Sequence, residues 1–448
     1  MSRADDTIGK EFVDAEYVFR KGIMYMVEQH QLSNGLCVVC EKIAYANSVA
    51  FGVWIRTGSA YETEADNGIA HMVEHMVFKR TAKRDARQIA DETADIGGNL
   101  DAYTSKEFTS YYAWVLKENF PRAVGLLGDM LAQSLFLDED LEKEKDIVME
   151  EIDMYKDSAE DVVHEMLQKS IWENHPLGYL ISGEKDTVEA FRGEDLKRFV
   201  KEFYTAENMI ISIAGAVSFG EVKGLLEEAF GGIGRGERQH VLKAPGFHPC
   251  VYMEDKDIEQ IHLNCAYNSI TSVAGERYAF SVLNSILGGG VNSRLFLKLR
   301  EEMGLAYSVY SYGSAFQKAG LFHMYAGLNA NQLKAAVEAM GREIRLLKAE
   351  PPKEEEIARA REQIKTDLII QGENIKGRMN SNARGLCLFG RVISPEDTLA
   401  AVNKVHAEQL MECMERWFKS DQMAFSFVGN LEEMPEELRD FKKLQSFF

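Results

Sequence analysis

His71-Met-Val-Glu-His75 sets two imidazoles and a carboxylate within a single short run. On a helix the two histidines, four apart, stand on one face about one turn from each other, and Glu74 shares that face. Two neutral ring nitrogens aimed at one point are donors for a divalent cation such as zinc, which needs one further protein ligand and an open position for water. A carboxylate beside that water can take its proton as it attacks an amide carbon and return it to the leaving nitrogen. The same pattern also occurs on helices whose histidines are merely core or solvated, so a further ligand decides its meaning.

The acid-rich stretch Glu142-Lys-Glu-Lys-Asp-Ile-Val-Met-Glu-Glu-Ile152 offers one. Glu144 and Glu151 are seven apart, two turns along one face, so a helix that presents Glu151 to a metal also brings Glu144 to the histidines as an outer acceptor. Taken alone, such a helix is a solvated face, and only its pairing with the histidine run makes it a ligand source. The order H-x-x-E-H inverts H-E-x-x-H, and both orders place a carboxylate beside the metal.

Positioning these groups requires elements, and the hydrophobic pattern predicts them. Ser48 to Arg56 and Thr109 to Leu116 read as strands, and Asp85 to Ile96 as a helix ended by Gly97-Gly98. Phe120 to Tyr155 carries two long helical patterns broken near Leu137-Asp138, where Asp138-Glu-Asp140 suits a helix start.

The second half repeats this order. Tyr111-Tyr-Ala-Trp-Val-Leu116 and Asn119-Phe-Pro-Arg-Ala-Val124 are echoed by Phe322-His-Met-Tyr-Ala-Gly-Leu328 and Asn331-Gln-Leu-Lys-Ala-Ala-Val337, at an offset of 213 from Ala113 to Ala326 (326 − 113). Phe136-Leu-Asp-Glu-Asp-Leu141 resembles Pro352-Lys-Glu-Glu-Glu-Ile357, where the offset reaches 216 (357 − 141). This weak, gapped duplication divides the chain into an N-terminal half over 1–235 bearing the candidate site, a glycine-rich charged linker over 236–248, and a C-terminal half over 249–448. At the repeated position the second half reads Arg277-Tyr-Ala-Phe-Ser-Val-Leu-Asn284, without histidine or glutamate, so one metal site per chain is expected.

Composition narrows the partners. With 448 residues and a formal charge of −20, the chain repels phosphate backbones and anionic bilayers at long range, so neither nucleic acid nor a membrane is an expected partner. The opening residues lack a basic head and an apolar run of signal-peptide length, and no segment approaches roughly 20 unbroken apolar residues, so a cytoplasmic protein is expected. Cys37-Val-Val-Cys40 lies in a strand-like apolar run and reads as buried thiols. Gly288-Gly-Gly290 lacks the Lys-Ser/Thr of a phosphate loop and reads as a tight turn.

His71-x-x-Glu74-His75, with Glu151 76 positions after His75 (151 − 75) inside Val148-Met-Glu-Glu-Ile152, resembles the pitrilysin-type zinc metallopeptidases, the inverzincins. The resemblance covers nearly the whole chain. It is supported by Ala102-Tyr-Thr-Ser-Lys-Glu107, His175-Pro-Leu-Gly178, Phe203-Tyr-Thr-Ala-Glu-Asn208, the glycine run, Ser293-Arg-Leu-Phe296 and Leu299-Arg-Glu-Glu-Met-Gly-Leu-Ala-Tyr307. It implies an α+β fold of two homologous halves, each a mixed sheet with helices, arranged as a clam-shell around a substrate chamber. It further implies one zinc ion on His71, His75 and Glu151, Glu74 as general base and Glu144 as an outer acid. Arg300 and Tyr307 would contact substrate near the reacting carbonyl, and the strand around Asp101 and Ala102 would pair with an extended peptide. The family usually carries Asn where this chain has Asp101, an amide exchanged for an anion.

The expected activity is an endopeptidase on extended or unfolded peptides, working as a homodimer whose acidic chamber favours basic substrates. A catalytically silent scaffold or peptide-binding partner subunit is the alternative, distinguished by damaged ligands.

Overall fold

In the computed structural model, residues 14–20, 23–236, 241–432 and 434–448 are described. The first half builds a seven-stranded sheet from β1 (Asp14–Arg20), β2 (Ile23–Gln31), β3 (Cys37–Lys42), β4 (Ser48–Ile55), β5 (Asn99–Thr104), β6 (Thr109–Leu116) and β7 (Met209–Gly215), in the order β1-β2-β3-β7-β4-β6-β5. The second builds five strands, β8 (Val251–Asp255), β9 (Gln260–Asn268), β10 (Ala306–Ala315), β11 (Gly320–Asn329) and β12 (Met423–Gly429), in the order β10-β11-β9-β12-β8. In each sheet the outermost hairpin, β5-β6 or β10-β11, ends in an edge strand, and each sheet holds one parallel pair, β3-β7 in the interior of the first and β8-β12 at the far edge of the second. The fold is α+β with two homologous halves, and the predicted strand Thr109–Leu116 falls on β6 without a shift.

Four helices shape the first half's working side, α1 (Ile69–Val77), α2 (Ala86–Ile96), α3 (Phe120–Gln133) and α4 (Asp138–Asp157), and α5 (Ala159–Ile171) follows them. Asp85 caps α2 by accepting from Gln88 N, and Gly97 ends it in the left-handed conformation. The acids Asp138, Glu139 and Asp140 fill the first turn of α4, where negative charge meets the positive end of the helix dipole. Inward faces of β4, β6 and β7 pack with α1, α3 and α4 through residues such as Phe51, Val53, Ile213, Val73, Leu127 and Val148.

The opposite sheet faces are covered by exchange. Helix α5 leaves the first half and lies on β9 and β12 of the second, bringing Leu167 and Ile171 against Ala266, Leu321 and Ala424. The helix Ile375–Phe389 returns the exchange, lying on β4 and β7 with Met379 against Ala50 and Ala214, and Leu386 against Trp54 and Ile210. The two helices begin 216 residues apart (375 − 159), the offset of the duplication. Polar contacts fix the seat of this second helix: Ser212 Oγ donates to the Met379 carbonyl at 2.7 Å, Asn382 Nδ2 to Glu41 Oε2 at 2.8 Å, and Arg378 pairs with buried Glu41. Each sheet thus completes its burial only with a helix from the other half.

Cys37 and Cys40 stand on β3, where residues three apart point to opposite faces, so they cannot converge. All six cysteines are free. Residues 237–240 of the expected linker lie outside the described residues, and 241–250 carry neither helix nor strand. Among the described residues no helix is long and apolar enough to cross a membrane.

Candidate metal centre

Helix α1 starts at Gly68, whose φ of 96° is a left-handed conformation that favours glycine. A Cβ there would meet Gly183 Cα at 2.8 Å, so the chain must also be bare at this contact. Glu62 caps the start: Oε2 accepts from Gly68 N and Asn67 Nδ2, each at 2.8 Å, and Oε1 from Ala70 N at 2.9 Å. Ile69, Met72, Val73 and Met76 are buried, which fixes the rotation of the helix and leaves His71, Glu74 and His75 on the side facing α4 and β5.

There the donors converge. His75 Nε2 lies 3.2 Å from His71 Nε2, and Glu151 Oε2 lies 3.7 Å from His71 Nε2 and 3.6 Å from His75 Nε2. Ligand atoms about 2.1 Å from a tetrahedral zinc are separated by about 3.4 Å, so this triangle fits such an ion without rearrangement. It is the one group of three or more potential ligands found among the described residues.

The surroundings suit ligation. Burial, and then the charge of His75, push His71 down to about 3, which keeps it a neutral donor. His75 Nδ1 meets Glu144 Oε1 at 2.9 Å, which turns Nε2 toward the other ligands. Burial pulls the His75 imidazole down, but Glu144, Glu74 and Glu151 together outweigh it and hold it above its ordinary value. A divalent cation between the three donors would satisfy the same acids. Burial raises Glu144 too, yet its hydrogen bonds with His75 and Lys79 prevail and hold it low; Lys79 Nζ sits 2.6 Å from Oε2.

Glu74 is oriented from the strand side, with Thr104 Oγ1 donating to Oε2 at 2.5 Å. Burial lifts Glu74 above the usual carboxylate range, with Glu151 and Asp101 adding to the rise and Thr104 and His75 opposing it. A carboxyl raised in this direction holds a proton more readily than an exposed one, as a group that must accept a proton from water requires.

The sequence-predicted set therefore divides. His71, Glu74, His75, Glu144 and Glu151 meet in one cluster, while Asp101 and Ala102 lie on edge strand β5 beside it. Arg300 and Tyr307 sit on the second half and partner each other: Arg300 Nη1 donates to the Tyr307 carbonyl at 2.8 Å, and its guanidinium lies 4.8 Å over a Tyr307 ring that is 78% exposed. Sequence reasoning passed over Thr104, Lys79 and Glu62. Lys79 follows His75 by four residues, a spacing visible in the sequence; Thr104 lies inside the run Ala102 to Glu107; Glu62 has no local signal, because its role exists only once the chain folds back on Gly68.

Comparison with known proteins shows what the chain is similar to. Residues 37–185 match the insulinase family, peptidase family M16, and residues 190–364 match the peptidase M16 inactive domain. The chain is 37% identical over 411 residues to the Bacillus subtilis protein named uncharacterized zinc protease YmxG, covering 92% of this chain and all of that one. It is 32% identical to the Streptomyces coelicolor uncharacterized zinc protease SCO5738, over 91% of this chain and 90% of the relative. A protease structure from Helicobacter pylori superposes with a TM-score of 0.84 at 22% identity, covering 90% of this chain and 99% of that one. A chain of Complex III2 from Candida albicans does so at 0.82 and 19% identity, over 94% of this chain and 99% of its own, so it shares the fold. With its first half matching the insulinase family and its second the inactive domain, the chain belongs to peptidase family M16.

Proposed function

We propose that the chain is a zinc-dependent endopeptidase acting on extended or unfolded peptides, with His71, His75 and Glu151 holding one zinc ion. The observation that carries this reading is the donor triangle of 3.2, 3.6 and 3.7 Å, built from two elements that meet only in the fold. Zinc held there would lower the pKa of a water molecule and polarise the scissile carbonyl. Glu74 takes the proton of the attacking water and delivers it to the leaving nitrogen, while Thr104 keeps the receiving oxygen in place. The edge of β5 offers backbone donors and acceptors to a peptide strand. The relatives named zinc proteases support the metal and the reaction class.

Arg300 and Tyr307 complete the reading as substrate contacts supplied by a second copy. Both sit on the second half, where they contact each other, and a homodimer would let each copy present the pair to its partner's site. A cationic or phenolic donor delivered there would stabilise the developing oxyanion.

Metal analysis and a quenched fluorescent peptide test the proposal. One zinc per chain is expected, and Glu74→Gln should retain it while losing at least about a hundredfold in kcat. Undiminished turnover by Glu74→Gln would remove the assigned base, and protein purified without zinc that cannot be reloaded would remove the metal.

A further inference from the structure

Strand β5 ends the first sheet, so every second residue along it turns its N–H and C=O away from β6 toward open solvent. Ala102 is one of these, yet its N–H is already taken: it donates to Oδ1 of the preceding Asp101 at 2.8 Å. The other oxygen, Oδ2, accepts from Tyr112 Oη at 3.1 Å. Tyr112 Oη in turn receives Lys376 Nζ at 3.1 Å, from the exchanged helix of the second half, and the ammonium lies 4.1 Å over the Tyr112 ring. Oδ2 is therefore balanced by a cation through a phenol, whereas Oδ1 is balanced by a single backbone donor that a peptide strand would need.

We propose that Asp101 determines substrate specificity: a peptide carbonyl displaces Oδ1 from the Ala102 N–H, and the freed carboxylate oxygen selects a peptide whose facing residue is Lys or Arg. The inference rests on the peptidase reading of the site. When the peptide strand pairs, Ala102 exchanges one acceptor for another, and the anionic oxygen left over is best satisfied by an ammonium or guanidinium donor. Alternation along β5 puts Ala102 and Thr104 toward Glu74, and Asp101 and Tyr103 toward the exchanged helix. The selected side chain thus lies on the sheet face opposite the metal cluster, one residue out of step with those facing it. Lys376 does not cancel the selection, because it engages Tyr112 and reaches the carboxylate only through Oδ2.

Binding separates this inference from the question of turnover. In the Glu74→Gln background, fluorescence anisotropy is measured on labelled peptides that differ only by Lys, Gln or Glu at each successive position. At one position the Lys peptide should bind about three- to tenfold more tightly than the Gln peptide, the size of one partly exposed charge-assisted contact, and the ratio should shrink in 0.5 M NaCl. Adding Asp101→Asn should bring that ratio toward one, and adding Asp101→Lys should make the Glu peptide the preferred one, with zinc content reporting that each variant is folded. A Lys-to-Gln ratio that is the same in Asp101→Asn, or that is flat at every position in the parent, overturns the assignment. Binding selectivity without any hydrolysis by the Glu74-bearing protein would instead overturn the peptidase reading and leave the role of Asp101 standing.

Discussion

Thr104 Oγ1 donates to Glu74 Oε2 at 2.5 Å, so the strand offered to a peptide also holds the acid proposed to move protons. Two tasks, receiving a substrate backbone and aiming a base, share one element, and a shift of β5 would disturb both.

Thr104→Val keeps the shape of the side chain and removes the hydroxyl. Because that hydrogen bond pulls Glu74 down against the rise caused by burial, its loss should raise the Glu74 carboxyl further. The acid limb of the kcat/KM profile is expected to move to higher pH, and kcat to fall by roughly three- to tenfold. An unmoved limb would separate Thr104 from the base.

Glu144 acts one contact removed from the metal position, through His75 Nδ1 at 2.9 Å. Glu144→Gln keeps a hydrogen-bonding partner but loses the charge that favours a fixed imidazole orientation, and zinc affinity should drop by about tenfold to a hundredfold. Competition against a chromophoric chelator measures this directly, and an unchanged affinity would make Glu144 a partner of Lys79 alone.

Removal of Glu62 tests the foundation under the histidines. Glu62→Ala strands the Gly68 and Ala70 N–H groups in a buried place and leaves the Asn67 amide with Leu180 alone, at a cost of about 1–3 kcal/mol. Denaturant unfolding should show that loss, and zinc affinity should fall with it, because these donors set the start of the helix that carries His71. Loss of stability with intact zinc affinity would confine Glu62 to a packing role.

Acid should weaken the seat of the exchanged helix α5. His164, on α5, meets Tyr310, Tyr312 and Asn264, and His323 on β11 stacks on Tyr312 with ring centroids 4.5 Å apart. Burial pushes His164 down to about 4, against the pull of Glu160 and Asp161, and pushes His323, next to His164, down to about 3. Both are neutral when folded, so below their ordinary value of 6.5 the unfolded chain takes up protons that the folded chain refuses. Stability contributed by the neutral rings is then lost as pH falls from about 6.5 toward 4, by ~2 kcal/mol for His323 at pH 5. His323→Phe should flatten the decline in Tm between pH 7 and pH 5, and an equal decline in the variant would show that other groups drive it.

Much of the candidate site was legible because helical spacing is local. His71, Glu74 and His75 must share a face on any helix, and so must Glu144 and Glu151. The strands β4 and β6 were equally plain, since residues buried on both faces leave continuous apolar runs such as Val49 to Ile55. The contacts of Glu62, Thr104 and Asp101 were hidden: those of Glu62 and Asp101 depend on which backbone groups are left unpaired at a helix start or a sheet edge, and that of Thr104 on β5 lying beside α1, all set by neighbours distant in the chain.

By itself, the order of residues determined that the chain has two related halves, that only one carries H-x-x-E-H, and which side chains can share a face. Tertiary structure alone decided that Glu151 comes within 3.7 Å of His71 and that β5 is an edge. It also decided that α5 and the helix Ile375–Phe389 trade places between the halves. The physical reason is burial: a sheet with two apolar faces must cover both, and the helix that covers the second face is chosen by shape and hydrogen bonding across the whole molecule, which no local period encodes.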